Sequence, residues 1–196
     1  MQFPVTPLSS RHLAEARARQ NTLTKPPGSL GRLERLAQQV AGITGQPRPH
    51  LTQPTIYVCA GDHGVAAEGV SAFPQAVTAQ MVANFLQGGA AINVLARHAG
   101  ARVVVADCGV VGPIADHPDL RRLAIAPGTA NFVCGPAMSA AQAVAALEAG
   151  ISLVDDETDL VALGEMGIAN TTSASAIIAA CTGCPAETVT GRGTGI

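Results

Sequence analysis

Tryptophan is absent from the 196 residues, tyrosine occurs once and phenylalanine four times. Lysine occurs once, as Lys25, and Lys plus Arg total 12 against 14 Asp plus Glu, for a net charge of -2. A nucleic-acid surface needs a basic stripe and usually stacking side chains, so this composition argues against one and favours small-molecule partners. No span of about 20 uncharged apolar residues suits a membrane helix. The start, MQFPVTPLSS, lacks a basic flank leading into an apolar segment, so no export signal is read and the expected compartment is the cytoplasm. The five cysteines are an odd number, and Cys59, Cys108 and Cys134 lie in or beside apolar stretches, where the residue acts as a small hydrophobe rather than part of a disulfide framework. Cys181-x-x-Cys184 has no second CxxC or His pair to complete a zinc site. Against these scarcities stands 47% hydrophobic content, ample for a sizeable core.

The apolar pattern divides the chain. Ser9 is placed to cap a first helix reaching about Gln20. In "TKPPGSLGRLERLAQQVAGITG" the Pro-Pro-Gly turn ends one element, Ser29 is expected to cap the next, and Leu30, Leu33, Leu36, Val40 and Ile43 follow helical spacing until Gly45. Pro47 and Pro49 mark a linker, so residues 1–50 read as a helical preface and 51–196 as an incomplete α/β substrate-binding domain. Strand and helix signals then alternate: a strand at 55–60, helices near 75–86 and 90–98, and a strand at 101–109. "DLRRLAIA" is a further candidate strand. Ser139-x-x-Gln142 is a capping-box pattern opening a helix to about Gly150. A strand at 159–164 and a helix at 170–181, with Gly183 just past its end, complete the series. Uninterrupted apolar strands alternating with helices predict an α/β fold, with a mainly parallel sheet in a three-layer, Rossmann-like arrangement.

Ligands of open parallel sheets gather beyond the carboxyl ends of the strands. Three such ends are polar and glycine-rich: Gly61-Asp62-His63-Gly64, Asp107-Cys108-Gly109, and Gly164-Glu165-Met166-Gly167 followed by Asn170-Thr171-Thr172-Ser173. The last can cradle an anion on the amides of a helix start, or Asn170, Thr171 or Ser173 can simply cap that helix; the pattern alone leaves both open. A carboxylate repels phosphate at contact distance, so Glu165 suits ribose hydroxyls, a cationic ring or a proton to be removed. Asp62-His63 could begin a metal site, but His12, His50, His98 and His117 show no spacing that completes it, and a polar pair orienting a loop or substrate is the preferred reading. Phe73, Pro74, Val77, Met81 and Phe85 form a stripe of core type, although Phe73, at the helix entry, could line a flat apolar pocket. Asn131, Gly135 and Pro136 in "GTANFVCGPAMS" are ordinary loop chemistry by themselves.

The ordered blocks "KPPGSLGRLERLA", "AGDHGVAAEGVSAFPQAVTAQMVANFLQGGAAINVLA", "GTANFVCGPAM" and "GEMGIANTTSASA" closely resemble the nicotinate-nucleotide:dimethylbenzimidazole phosphoribosyltransferase family, over about Leu23 to Ile196. The resemblance implies transfer of the 5-phosphoribosyl group of nicotinate mononucleotide to 5,6-dimethylbenzimidazole, giving α-ribazole 5'-phosphate and nicotinate, with no cofactor and no metal. Position by position, it assigns Glu165 a supporting catalytic role near sugar and base. It places Gly164, Met166, Gly167, Asn170, Thr171, Thr172, Asn131 and Gly135 on the nucleotide side, and Asp62, His63, Phe73, Gln80 and Met81 at the benzimidazole. Some relatives carry a small polar residue where Phe73 stands. Family chains also continue past "VTGRGTGI" with a second glutamate assigned as general base. The chain is therefore expected to be an N-terminal fragment with little or no activity of its own, from an enzyme that is a homodimer when complete. The alternatives are a noncatalytic nucleotide- or benzimidazole-binding module and, more weakly, metal-dependent hydrolysis at Asp62-His63.

Overall fold

Valine, isoleucine and tyrosine crowd the stretches Pro54–Gly61 and Arg102–Gly109, and these form the two central strands, β1 and β2, in a computed structural model that describes residues 4–195. Ile196, the last residue of the expected substrate domain, and residues 1–3 of the preface lie outside the described residues. The sheet has four strands in the order β3-β2-β1-β4, all parallel, with β3 at Leu120–Arg122 and β4 at Leu160–Met166. Of "DLRRLAIA", three residues pair. The expected α/β class with a mainly parallel sheet is borne out.

The chain divides after Thr52 into two compact units. In the first, helices α1 (Ser10–Asn21) and α2 (Arg32–Thr44) pack together. A Cβ on Gly42 would lie 2.9 Å from Leu13 Cγ, so the bare glycine sets how closely α1 approaches. Ser9 does occupy the N-cap position of α1, but its hydroxyl meets His12 Nδ1 at 2.7 Å instead of a backbone amide. Ser29 does not cap α2. Gly31 holds that position, while the Ser29 amide donates to the Pro26 carbonyl within the preceding turn. The Glu34 carboxylate, in the first turn of α2, accepts from the Leu30 amide at 3.2 Å and from Lys25 Nζ at 2.6 Å. The spacing of Leu30, Leu33, Leu36 and Ile43 is helical from Leu33 on, yet all four remain exposed.

In the second unit, Val58 and Ala60 of β1 and Val105 of β2 share one sheet face with Val82 and Phe85 of α3 (Val77–Leu86). Helix α4 (Ala91–Ala99) packs on β2. Tyr57 lies on the opposite face, and its hydroxyl meets Thr158 Oγ1 at 2.9 Å and accepts from the Asp155 amide, just after α5 (Ala140–Leu153). The Ser139–Gln142 capping box forms as expected, with Gln142 N–H donating to Ser139 Oγ and Ser139 N–H to Gln142 Oε1. Helix α6 (Asn170–Thr182) stops at Gly183 in the left-handed conformation, before the short α7 (Ala186–Val189). Strand β4 is an edge strand whose Leu163 is 83% exposed, and neither α5 nor α6 contains a buried residue.

Core and edge should therefore respond differently to truncation. Val82→Ala, at a fully buried position, is expected to cost about 2 kcal/mol through lost burial and the cavity left behind. Leu163→Ala is expected to stay within about 0.5 kcal/mol. Urea denaturation of the two variants against the parent chain measures both.

Candidate active site

Parallel register sets the site. Cys59 of β1 pairs with Ala106 of β2 on one side and Glu165 of β4 on the other, so Cys59 and Glu165 stand abreast on one face. At the carboxyl ends of these strands the register shifts between Ala60 and Gly61, and one extra residue, Cys108, enters on β2. A cavity of about 850 Å³ opens over this face, lined by the strand ends, the 125–130 loop and the first turns of α5.

Two buried carboxylates shape its rim. Asp107 Oδ1 accepts from the Gly109 and Val110 amides at 3.0 and 2.9 Å. Asp62 Oδ2 accepts from the Val111 amide at 2.7 Å, and the Asp62 backbone bonds to Gly109 and Thr129. Asp62 thus ties both neighbouring loops to the end of β1. One oxygen of its side chain, Oδ2, orients a loop, while Oδ1 is buried without a hydrogen-bond partner among the described residues. Among the described residues no group of three or more His, Cys, Asp or Glu side chains could hold a metal ion.

His63 Nδ1 meets Ser173 Oγ of α6 at 2.9 Å. Burial pulls the imidazole pKa below its ordinary value, and the Asp62 charge offsets only part of that. Glu165 shifts the other way: its carboxyl lies on the cavity side of an edge strand, where partial desolvation raises its pKa against the opposing hydrogen bond from the Asn170 side chain.

The β4–α6 connection is tight for a steric reason. A Cβ on Gly167 would lie 2.3 Å from the Gly61 carbonyl oxygen and 2.9 Å from His63 Nε2. Ala169 then adopts φ +73°, and among the described residues it is the one non-glycine with positive φ, a conformation costing about 1–2 kcal/mol. Thr78 of α3 holds this turn, its hydroxyl accepting from the Ile168 amide at 3.1 Å. Ala169, not Asn170, Thr171 or Ser173, occupies the N-cap of α6. The amides of Asn170, Thr172 and Ser173 are already engaged, the first with the Gly167 carbonyl and the others with Ala169. The helix start consequently offers an anion fewer free donors than its composition suggests.

Of the residues singled out from the sequence, Asp62, His63, Glu165, Met166 and Asn170 line the cavity. Gly164 and Gly167 lie behind that wall, Gly164 against Val58. Thr171 Oγ1 faces Gly193. The Asn131 side chain donates to Glu68 at 2.6 Å, and Gly135 just precedes the lining residue Pro136. Phe73 is exposed and lines a separate hollow of about 470 Å³; Gln80 is exposed, and Met81 packs against the core. The sequence reading missed Cys59, Gln142 and the 125–130 loop. Only a sheet register could have found Cys59, whereas the position of Ser139-x-x-Gln142 after a loop offered a weak signal.

A largely apolar cavity with a few polar groups at the carboxyl ends of parallel strands in an α/β fold is a small-molecule site of the kind that dinucleotide- and nucleotide-binding proteins carry. The sequence model described as phosphoribosyltransferase matches residues 5–196, and the chain belongs to that family. It is 58% identical to a nicotinate-nucleotide--dimethylbenzimidazole phosphoribosyltransferase of Chloroflexus aggregans, covering 98% of this chain and 56% of that one. A Geobacter sulfurreducens protein of the same name is 53% identical with the same coverage. The crystal structure of CobT from Thermus thermophilus superposes with a TM-score of 0.90 at 50% identity, over 95% of this chain and 57% of the other. The chain spans about half the length of the curated relatives it matches.

Two outcomes follow from the geometry. Gly167→Ala should destabilise the chain by at least about 2 kcal/mol, since the new methyl meets backbone that cannot yield; a urea midpoint equal to the parent's would contradict this. Because the folded chain holds His63 below its unfolded pKa, the unfolded state takes up the proton first as pH falls. Stability is intact above about pH 6.5 and declines below it. In His63→Gln, the difference in urea midpoint between about pH 7.5 and about pH 5.5 should shrink.

Proposed function

We propose that this chain supplies the substrate site of a phosphoribosyltransferase that moves the 5-phosphoribosyl group from nicotinate mononucleotide to 5,6-dimethylbenzimidazole. The observation that carries the reading is the partly desolvated Glu165 carboxyl, held by Asn170 at the wall of a cavity of about 850 Å³, a volume within the usual range for small-molecule sites. Family membership and the names of the relatives support the substrates.

In this reading the neutral ring nitrogen of the benzimidazole attacks C1' of the ribose. The C1'–N bond to nicotinate breaks with its electron pair passing to the pyridinium nitrogen, which leaves neutral. Charge develops on the sugar as the pyridinium loses it, and the N–H proton of the new benzimidazolium must depart. A pyridinium is a good leaving group, so the chain's main task is to hold two flat rings on opposite faces of C1'. Glu165 stabilises positive charge at the sugar and base, and its raised pKa suits a group that shares a proton with the ring. The apolar lining around Ile125, Pro127 and Met138 gives a ring a dry surface. The reading keeps the cytoplasm as the expected compartment and, as the family resemblance implies, a homodimer for the complete enzyme.

A second reading, a binding module without turnover, draws on the chain spanning about half the length of its relatives. Calorimetry with each substrate alongside a turnover assay separates the two. In a chain of the relatives' length, Glu165→Gln should lower turnover by roughly 10²-fold with the fold intact. Unchanged kinetics would make Glu165 a structural residue. For the 196-residue chain little or no turnover is expected; binding without turnover favours the module, and turnover equal to that of the longer form would overturn both.

A further inference from the structure

Cys59 and Cys108 are neighbours on the cavity floor that the transferase reading does not use. Both line the cavity, Cys59 half-buried and Cys108 exposed. In an unbroken ladder, a residue two positions further along the adjacent strand stands about 7–8 Å away, beyond the usual Cα span of a disulfide, about 4.4–6.8 Å. The bulge changes that. Between the pairs Cys59–Ala106 and Gly61–Gly109, β2 spends three steps where β1 spends two, which draws Cys108 back toward Cys59. Cys108 stands beside the next residue of that face: a Cβ on Gly61 would sit 3.9 Å from Cys108 Cβ, an ordinary contact, on the face that carries Cys59. Each thiol shifts the other's proton affinity.

We propose that Cys59 and Cys108 form a reversible dithiol–disulfide pair, a thiol-modification site in the floor of the cavity that low-molecular-weight disulfides can oxidise. The Cys59 thiolate attacks one sulfur of such a disulfide, RSSR, forming a mixed disulfide and releasing RS⁻. Cys108, losing its proton, attacks the Cys59 sulfur of the mixed disulfide and expels the second RS⁻. One disulfide is reduced to two thiols and one protein disulfide forms, the two thiol protons passing to the released thiolates. The hydrogen bond from Cys108 lowers the Cys59 pKa to about 7, which supplies the attacking thiolate, and raises that of Cys108. Charged or titratable neighbours are Glu165 on β4, Asp107 on β2, and Asp62 and His63 beyond the end of β1. Because Glu165 stands abreast of Cys59, closing the bridge removes a thiolate from beside that carboxyl.

The inference is independent of which substrate the cavity takes. The test is to equilibrate the parent chain with oxidised and reduced glutathione, quench in acid and map the peptides. The expected product is an internal Cys59–Cys108 bridge, reversed by dithiothreitol, with Cys134 outside it. Both thiols remaining free, a lasting glutathione adduct on either one, or pairing of either with another cysteine would overturn the proposal. On the reduced parent chain, the iodoacetamide rate at Cys59 should have a midpoint near pH 7. In Cys108→Ala, which removes the donor, the rate at neutral pH should fall severalfold as the midpoint moves toward about 8.5. An unchanged profile would show that Cys108 does not act on Cys59 and would equally count against the pair.

Discussion

The mouth of the cavity depends on a carboxylate with one oxygen, Oδ2, on a backbone amide and the other, Oδ1, buried without a partner among the described residues. Asp62 is 1% exposed, and its Oδ2 takes the Val111 amide while its own N–H and C=O bond to Gly109 and Thr129. Three chain segments are thereby held at the end of β1, where the regular ladder stops and its backbone groups would otherwise lose partners. A buried carboxylate accepting an amide is a strong anchor because the alternative, an unpaired charge in a dry setting, is costly. Asp107 repeats the device one strand over with Gly109 and Val110. Together they convert glycine-rich loops, which have many conformations to lose, into a fixed rim.

From that rim the sheet register does the rest. Because side chains alternate along a strand, placing Cys59 toward the cavity also places Glu165 there, and it sends Val58 and Ala60 to the opposite face against Val82 and Phe85. A one-residue slip of β4 would exchange Glu165 for Met166 or Gly164 and bury the carboxylate against α3. Gly164 guards against the slip, since any side chain there would crowd Val58, whose Cγ2 would be 3.3 Å from the new Cβ. The same core that stabilises the domain thus selects which residue of Gly-Glu-Met-Gly can act.

What was legible in the sequence follows the same division between local and non-local causes. Strands with β-branched runs, the Ser139–Gln142 box and the Gly183 stop depend on neighbours within a few residues, and they stand within a few residues of where the pattern put them. The cap of α2 differs from its sequence pattern because the turn after Pro26 engages the Ser29 amide and the helix starts two residues later, with Gly31 at the N-cap. Strand ends were a sound guide to Asp62, His63 and Glu165. Adjacency of Phe73 in sequence to the Gly61–Gly64 loop was not a guide to the cavity: the 3-10 turn Gly64–Glu68 carries the chain away, and Phe73 faces a different hollow. Cys59 looks like core because its strand is apolar, and only the pairing of β1 with β4 and the bulge on β2 reveal it as part of the floor.

The position of Glu165 on an edge strand links its chemistry to the sheet's unfinished side. Its pKa is raised chiefly by desolvation, yet β4 has a partner only in β1 among the described residues and shows solvent its Leu163 side chain. Desolvation therefore comes from the β1 side and the protein atoms around the cavity, not from the free flank. Any segment laid along the free edge of β4 would pair its open amides and carbonyls and exclude water from the flank of the carboxyl, raising the pKa further unless it brought a cation with it. The Asn170 hydrogen bond opposes that rise and keeps the carboxylate accessible. Proton affinity at Glu165 is thus set by two opposed local influences, burial and Asn170, and an edge cover would act through the first. In the proposed transfer, such a balance would suit a group that shares a proton with a ring.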